Sequence, residues 1–269
     1  MGIIVCKFGG TSTACENGLK RISEIMIENG DRRYVILSAP GVSGDAPKVT
    51  DMLCSLWDAW NDALAGRIVE RYAKIARALA IPFDEGLALN ALRRAASVSR
   101  QAMISRGEYL IARLYSRYAG LPIVDAADII RFTREGILDV GDTLKRVEAM
   151  CRNTPKAVIP GFYGADPEGN VATFPRNGSD ITGALVAAGA GAALYENWTD
   201  VPGLMTDDPA VNPSARVIPE ITYREMRRRA ERGARVLHPD CLGPVEAAGI
   251  PTHIRCTMNP DLPGTVVHN

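Results

Sequence analysis

The apolar positions of the chain change period several times, and each change marks an element. Ile3 to Phe8 is a short apolar run of the kind a buried strand needs. Tyr34 to Ala39, "YVILSA", is another, with a helix-sized stretch between the two. A strand, a loop, a helix and a second strand at that spacing predict a parallel pair joined by a crossover. From Asp51 to Ala80 the apolar residues Leu53, Trp57, Trp60, Leu64, Ile68, Tyr72, Ile75 and Leu79 recur at steps of three and four. That period predicts one long amphipathic helix, with both tryptophans on its core face. A second helical stretch runs from about Leu87 to Tyr118, and Gly107 inside it marks a break or a point of close approach.

Further along, "PIVDAADII" from Pro122 and "KAVIPGFYG" from Lys156 read as strands ending in turns, followed by short pieces around Val171 to Phe174. Asp180 to Leu194 is a small-residue helix that Asp180 is placed to cap. "YENWTDV", Tyr195 to Val201, is a strand, and Thr222 to Glu225 is a capping box that opens a short helix. "IPTHIRCT" and "GTVV" read as closing strands. Strands alternating with helices throughout predict a three-layer α/β/α sandwich with a largely parallel central sheet, divided into two lobes around a cleft.

Composition narrows the function classes. Lys plus Arg and Asp plus Glu balance at 31 each, so no overall field draws the protein to nucleic acid or an anionic membrane. No apolar run approaches the ~18 residues of a membrane span, and the amino-terminal residues lack the layout of a secretory leader. Six scattered cysteines without a CxxC pair, and three well-separated histidines, give neither a disulfide framework nor metal-ligand spacing. The expectation is a soluble cytosolic protein. Arg224, Arg227, Arg228, Arg229, Arg232 and Arg235 crowd one short helix, which in a neutral chain reads as a solvated face.

The chemistry begins at "VCKFGGTSTA". Gly9 and Gly10 let the backbone bring its N–H groups against an anion, Lys7 adds a point charge, and Thr11 and Ser12 can donate at a helix start. These residues alone leave two readings open, a phosphate cradle or a tight turn with a surface lysine. A Walker pattern is absent, as are HRD and DFG in kinase order. Other strand-end loops carry the same ingredients: "SAPGVSG", "SRGEYL", "TFPRNGSD" and "NWTDVPGLMTDDP". Such loops suit a cleft at the carboxyl edge of a parallel sheet.

Taken in order, "KFGGTS", "SAPGVS…KVTDML", "SRGEYL", "IPGFYG", "RNGSDITGALVA", "ENWTDVPGLMTDDP", "RGARVLHPDCLGPVEAAGIP" and "GTVV" resemble the aspartate kinase family of the amino-acid-kinase superfamily over nearly the whole chain. The resemblance implies an amino-terminal lobe of about residues 1–160 for the amino acid and a carboxyl-terminal lobe of about 161–269 for ATP. It implies phosphorylation of the side-chain carboxylate of L-aspartate with ATP and Mg²⁺, in a cytoplasmic homodimer serving lysine and threonine biosynthesis. Lys7, Gly9 and Gly10 would cradle the transferred phosphoryl group, and Asp180 would hold Lys7 in place. Ser38, Thr11 and Glu108 would meet the amino acid, Glu108 at its ammonium group. Arg176 would clamp a substrate carboxylate through a bidentate pair. Thr199, Asp200, Met205 and Arg235 would contact the nucleotide, and no residue is implied as a metal ligand.

Three positions depart from the family pattern. Arg235 stands where many relatives have lysine, Ala210 where an arginine is common, and Asn177 where glycine is frequent. Asparagine tolerates a left-handed backbone better than most residues. These departures keep two alternatives open, a kinase for another amino-acid carboxylate and a nucleotide-binding relative that has lost turnover. Aspartate kinases commonly continue into regulatory ACT domains. Two residues follow "GTVV" here, so the expectation is a single kinase domain insensitive to lysine and threonine.

Overall fold

The computed structural model describes residues 2–175, 177–207, 211–212, 214–231 and 239–269. Strand β1 (Ile4–Phe8) leads through α1 (Glu16–Glu28) into β2 (Arg32–Leu37). Helices α2 (Val49–Asp58), α3 (Asp62–Ala78), α4 (Glu85–Ala96), α5 (Arg100–Ile104), α6 (Arg106–Ala119), α7 (Ala126–Ile129) and α8 (Val140–Asn153) precede β3 (Ala157–Pro160). A ribbon of β4 (Tyr163–Ala165) and β5 (Val171–Thr173) comes before α9 (Gly178–Gly189) and β6 (Leu194–Thr199). Then follow β7 (Glu220–Thr222), α10 (Tyr223–Glu231), a 3-10 turn (Pro239–Leu242), α11 (Gly243–Ala247), β8 (Thr252–Cys256) and β9 (Thr265–His268).

The main sheet has seven strands in the order β3-β2-β1-β6-β8-β9-β7. From β3 to β8 every neighbouring pair is parallel, whereas β9 runs antiparallel to β8 and parallel to β7. Side chains alternate between two apolar layers, as the two-residue period of a strand requires. Cys6, Phe8, Val35 and Leu37 face a layer built with α1 to α6, while Val5, Tyr34, Ile36 and Ile159 face one built with α7, α8, α9 and α11. The sheet is therefore covered on both sides, which is why β1 and β2 read as continuous apolar runs rather than alternating ones. The three-layer sandwich expected from the sequence is the fold observed.

Several local expectations are corrected. The long helix of Asp51 to Ala80 is two helices, because Asn61 takes an extended conformation and its side chain accepts a hydrogen bond from the Leu64 N–H at 2.9 Å. Asn61 is thus an N-cap that restarts the helix. Trp57 packs against the core, but Trp60 at that break is 39% exposed. The stretch after Leu87 likewise divides into α4, α5 and α6, and Gly107 is a close-approach point: a Cβ there would lie 2.8 Å from the Ala39 Cβ. "PIVDAADII" forms one bridge, Ile123 to Val158, and then the short helix α7, capped by Asp125. One half of the capping box expected at Thr222 is present, its hydroxyl accepting from the Glu225 N–H at 3.2 Å. Among the described residues no helix is long and apolar enough to cross a membrane.

Candidate active site

The strand order supplies a crevice. The chain adds β2 and then β3 on one side of β1, and later β6 and β8 on the other. An open α/β sheet binds ligands outside the carboxyl ends of its strands at such a reversal point, here between β1 and β6. Ladder contacts continue past the strand ends into the loops. The Gly9 N–H donates to the Trp198 carbonyl, that of Ser38 to the Phe8 carbonyl, and that of Gly161 to the Leu37 carbonyl. Four chain segments are thereby held side by side at one edge.

At that edge the Gly9–Gly10 turn meets the loop after β2. The Gly41 N–H donates to the Gly10 carbonyl at 2.7 Å. A Cβ on Gly10 would lie 2.9 Å from the Ala39 carbonyl oxygen, and one on Gly41 would lie 2.8 Å from the Gly10 carbonyl. Both glycines are thus required by close approach of backbone to backbone. Thr13 ties the same two loops, its hydroxyl donating to the Gly10 and Ser38 carbonyls at 3.1 and 3.0 Å. Ser12 is linked to Thr257, beyond β8, at 2.7 Å. Arg71 of α3 donates to the Pro47 and Gly41 carbonyls and so anchors the second loop. Within this frame the N–H groups of Gly10 and Thr11 have no acceptor among the described residues. Two such donors in a rigid turn are an anion site in waiting.

Lys7 is not a surface lysine. It is 7% exposed, and its ammonium lies 2.6 Å from Asp180 Oδ1. Asp180 does not cap α9, contrary to the expectation. The cap position is Asn177, whose φ of 51° is left-handed as its residue type allows, and Asp180 sits in the first helical turn. There its charge is favoured by the helix N-terminus, and its carboxylate is aimed at β1. Asn197 Nδ2 donates to the same Oδ1 at 2.7 Å, and the Tyr195 hydroxyl donates to the Asp180 carbonyl at 3.1 Å. Neither Asn197 nor Tyr195 was singled out from the sequence. The available signal was a polar residue inside an interior strand, where an unpartnered amide would be costly.

Glu108, on α6, is buried beside the second loop. Its Oε1 accepts from the Ala39 N–H at 3.1 Å, and Oε2 has no partner among the described residues. Burial pushes its pKa up to about 8, against a smaller lowering by the Ala39 N–H. An acid so placed wants a cation or a donor on Oε2. Ser38 lies on the same loop, half-buried, and Thr11 is exposed at the first turn.

On the other side of the crevice, Thr199 ends β6 and its hydroxyl donates to exposed Asp200 at 3.1 Å. Met205 lies further along the chain and forms an isolated bridge with Val217, outside the strands of the sheet. Arg176, Ala210 and Arg235 lie outside the described residues.

Residues 2–256 match the model of the amino acid kinase family. The chain belongs to the amino acid kinase family. Among curated members it is 33% identical to aspartokinase 3 of Bacillus subtilis, over 98% of this chain and 63% of that protein. The crystal structure of Clostridium acetobutylicum aspartate kinase superposes with a TM-score of 0.93 at 36% identity, covering 100% of this chain and 63% of that one. Escherichia coli aspartokinase III, solved in complex with aspartate and ADP, gives a TM-score of 0.87 at 27% identity over 99% of this chain and 64% of that one. The chain thus spans a little under two thirds of the length of these amino acid kinases.

Proposed function

We propose that the chain catalyses ATP-dependent phosphorylation of the side-chain carboxylate of L-aspartate, giving 4-phospho-L-aspartate and ADP. The observation that carries this reading is the buried Lys7 ammonium at the reversal point of the sheet, one turn from two N–H groups that have no acceptor among the described residues. Family membership and the names of the similar proteins support it. In this reading Lys7, Gly9 and Gly10 receive the transferred phosphoryl group, and Asp180 keeps Lys7 in place. Glu108, Ser38, Thr11 and Arg176 take the amino acid, while Thr199, Asp200, Met205 and Arg235 take the nucleotide. The two sets divide the chain at about residue 160. We place the enzyme in the cytoplasm as a homodimer.

The reaction suits such equipment. The substrate carboxylate, with a reference pKa near 4, is already ionised at neutral pH, so no general base is needed. The barrier is repulsion between that carboxylate and the triphosphate, and fixed donors and cations lower it. Asp200, exposed at the end of β6, offers a hard oxygen donor. That fits a magnesium ion that arrives on the triphosphate and keeps most of its waters. Its contribution would be to neutralise phosphate charge. The test is ADP release with aspartate, glutamate and N-acetylglutamate as acceptors. Turnover with aspartate is expected; turnover with another acceptor alone would move the reading to that acceptor, and none would make the chain a nucleotide-binding relative.

A further inference from the structure

We propose that Thr257 is a positioning residue for the phosphate turn, fixing the Gly10 and Thr11 N–H groups relative to the nucleotide side of the crevice. Its effect on turnover rests on the kinase reading; its place in the fold does not.

Thr257 follows β8, which runs parallel to β6 and so ends at the same edge of the sheet as β1 and β6. Its N–H continues that ladder, donating to the Thr199 carbonyl at 2.9 Å. Its hydroxyl lies 2.7 Å from that of Ser12, and either can donate. Thr257 is 1% exposed and Ser12 is 3% exposed, so bulk water does not take the place of either hydroxyl. One residue thus grips the end of β6 with its backbone and the turn between β1 and α1 with its side chain.

That turn is held at both ends. Its entry is tied to β6 by the Gly9 N–H on the Trp198 carbonyl at 3.0 Å, and its exit is tied to Thr257 through Ser12. Between them lie Gly10 and Thr11, whose N–H groups have no acceptor among the described residues. The remaining bonds of Ser12 are local: its N–H donates to the Gly9 carbonyl at 3.0 Å. Helix α1 lies against its carbonyl, since a Cβ on Gly18 would be 2.0 Å from that oxygen. Gly41 and Thr13 fasten the turn toward β2 instead. Donors lower a barrier only where they are held at the point at which charge develops. Without the Thr257 hydroxyl, that of Ser12 would be buried with no partner among the described residues, and the turn would shift to satisfy it. The backbone bond to Thr199 would survive. The phosphate turn would therefore move against a nucleotide side that stays in place.

The variant Thr257→Val keeps the shape of the side chain and removes the hydroxyl. Calorimetric titration of the full chain with MgATP and with MgADP, without aspartate, reads the consequence. Affinity for ATP is expected to fall roughly fivefold and that for ADP to stay within about twofold, because only ATP carries the phosphoryl group that reaches the turn. In turnover, kcat is expected to fall about tenfold with KM for aspartate within about twofold. Thr257→Ser restores the hydroxyl and is expected to recover both ATP affinity and kcat. A hydroxyl that served stability alone would lower the unfolding midpoint and leave the ratio of ATP to ADP affinity at the wild-type value. That outcome would overturn the proposal, as would a Thr257→Ser variant no better than Thr257→Val. If wild type binds both nucleotides but turns over no acceptor, the kinase reading fails, and the affinity ratio alone decides the role of Thr257. A wild-type chain that binds neither nucleotide overturns both. If Thr257→Val does not fold, Ser12→Ala removes the same bond from its other end; the same selective loss of ATP affinity is expected there, and an unchanged ratio would overturn the proposal.

Discussion

Replacing Glu108 with glutamine should make the protein more stable in a way that grows with pH. The Glu108 carboxyl is 5% exposed, holds one N–H on Oε1 and leaves Oε2 without a partner among the described residues. Burial lifts its pKa from 4.5 to about 8, so at pH 7 roughly nine tenths of folded molecules carry it neutral. Between those two values the folded chain binds a proton that the unfolded chain has already lost. Stability therefore falls as pH rises through the window, by about 1.4 kcal/mol per pH unit, and levels off above about pH 8. Tyr72 and Tyr163, which interact with Glu108, are themselves pushed above 10 by burial and add nothing to this slope. Glutamine keeps an oxygen for the Ala39 N–H and cannot ionise. The difference in unfolding free energy between variant and wild type should thus widen steadily from pH 5 to pH 8, toward an upper bound on the order of 4 kcal/mol. Urea unfolding at half-unit pH intervals measures it. Calorimetric titration adds a second observable. If an ammonium group docks on Oε2, aspartate binding at pH 7 expels close to one proton from wild type and none from Glu108→Gln. A stability difference that stays flat with pH would refute the argument for a neutral buried acid. Heats independent of buffer in both proteins would refute the docking.

Lys7→Ala should lower kcat by roughly 10²-fold or more with the fold intact, because a fixed cation aimed at developing charge is worth several kcal/mol; a kcat within a few-fold of wild type removes Lys7 from the mechanism. Arg176→Lys should raise KM for aspartate and leave that for ATP nearly unchanged, since lysine lacks the planar fork, and loss of ATP affinity instead would place residue 176 on the nucleotide side. Gly10→Ala should cost about 1–3 kcal/mol in unfolding experiments, because its Cβ would press on the Ala39 carbonyl at 2.9 Å. An unchanged unfolding midpoint would mean the two loops can separate freely.

What could be read from the sequence follows from how local each cause is. β1, β2 and the Gly9–Gly10 turn are set by residues close in sequence, and their apolar run, glycines and lysine carried the signal undiluted. The helix breaks were harder. Asn61 interrupts a sequence whose apolar period continues through it, so period alone joined α2 to α3, although an asparagine N-cap was there to be seen. "IVDAADII" has enough β-branched residues for a strand, but Asp125 bonds its own downstream backbone and turns the chain into α7. Local side-chain competition decided both.

The site divides in the same way. Loops rich in glycine and hydroxyls announced the phosphate side, but the arrangement that governs Lys7 depends on elements far apart along the chain. Its carboxylate partner comes 173 positions later, on a helix whose cap is another residue. Asp180 was read as a cap because aspartate at a helix start usually is one, and only the packing of α9 on β6 turns it inward. Asn197 lies inside "ENWTDV", but nothing in that segment assigns its side chain a role. Yet an amide in a strand buried on both faces must be satisfied by something across the sheet, and β1 places Lys7 beside it. Such a residue is worth marking whenever an interior strand borders a crevice, since the partner that satisfies it is drawn from the same few side chains that do the chemistry.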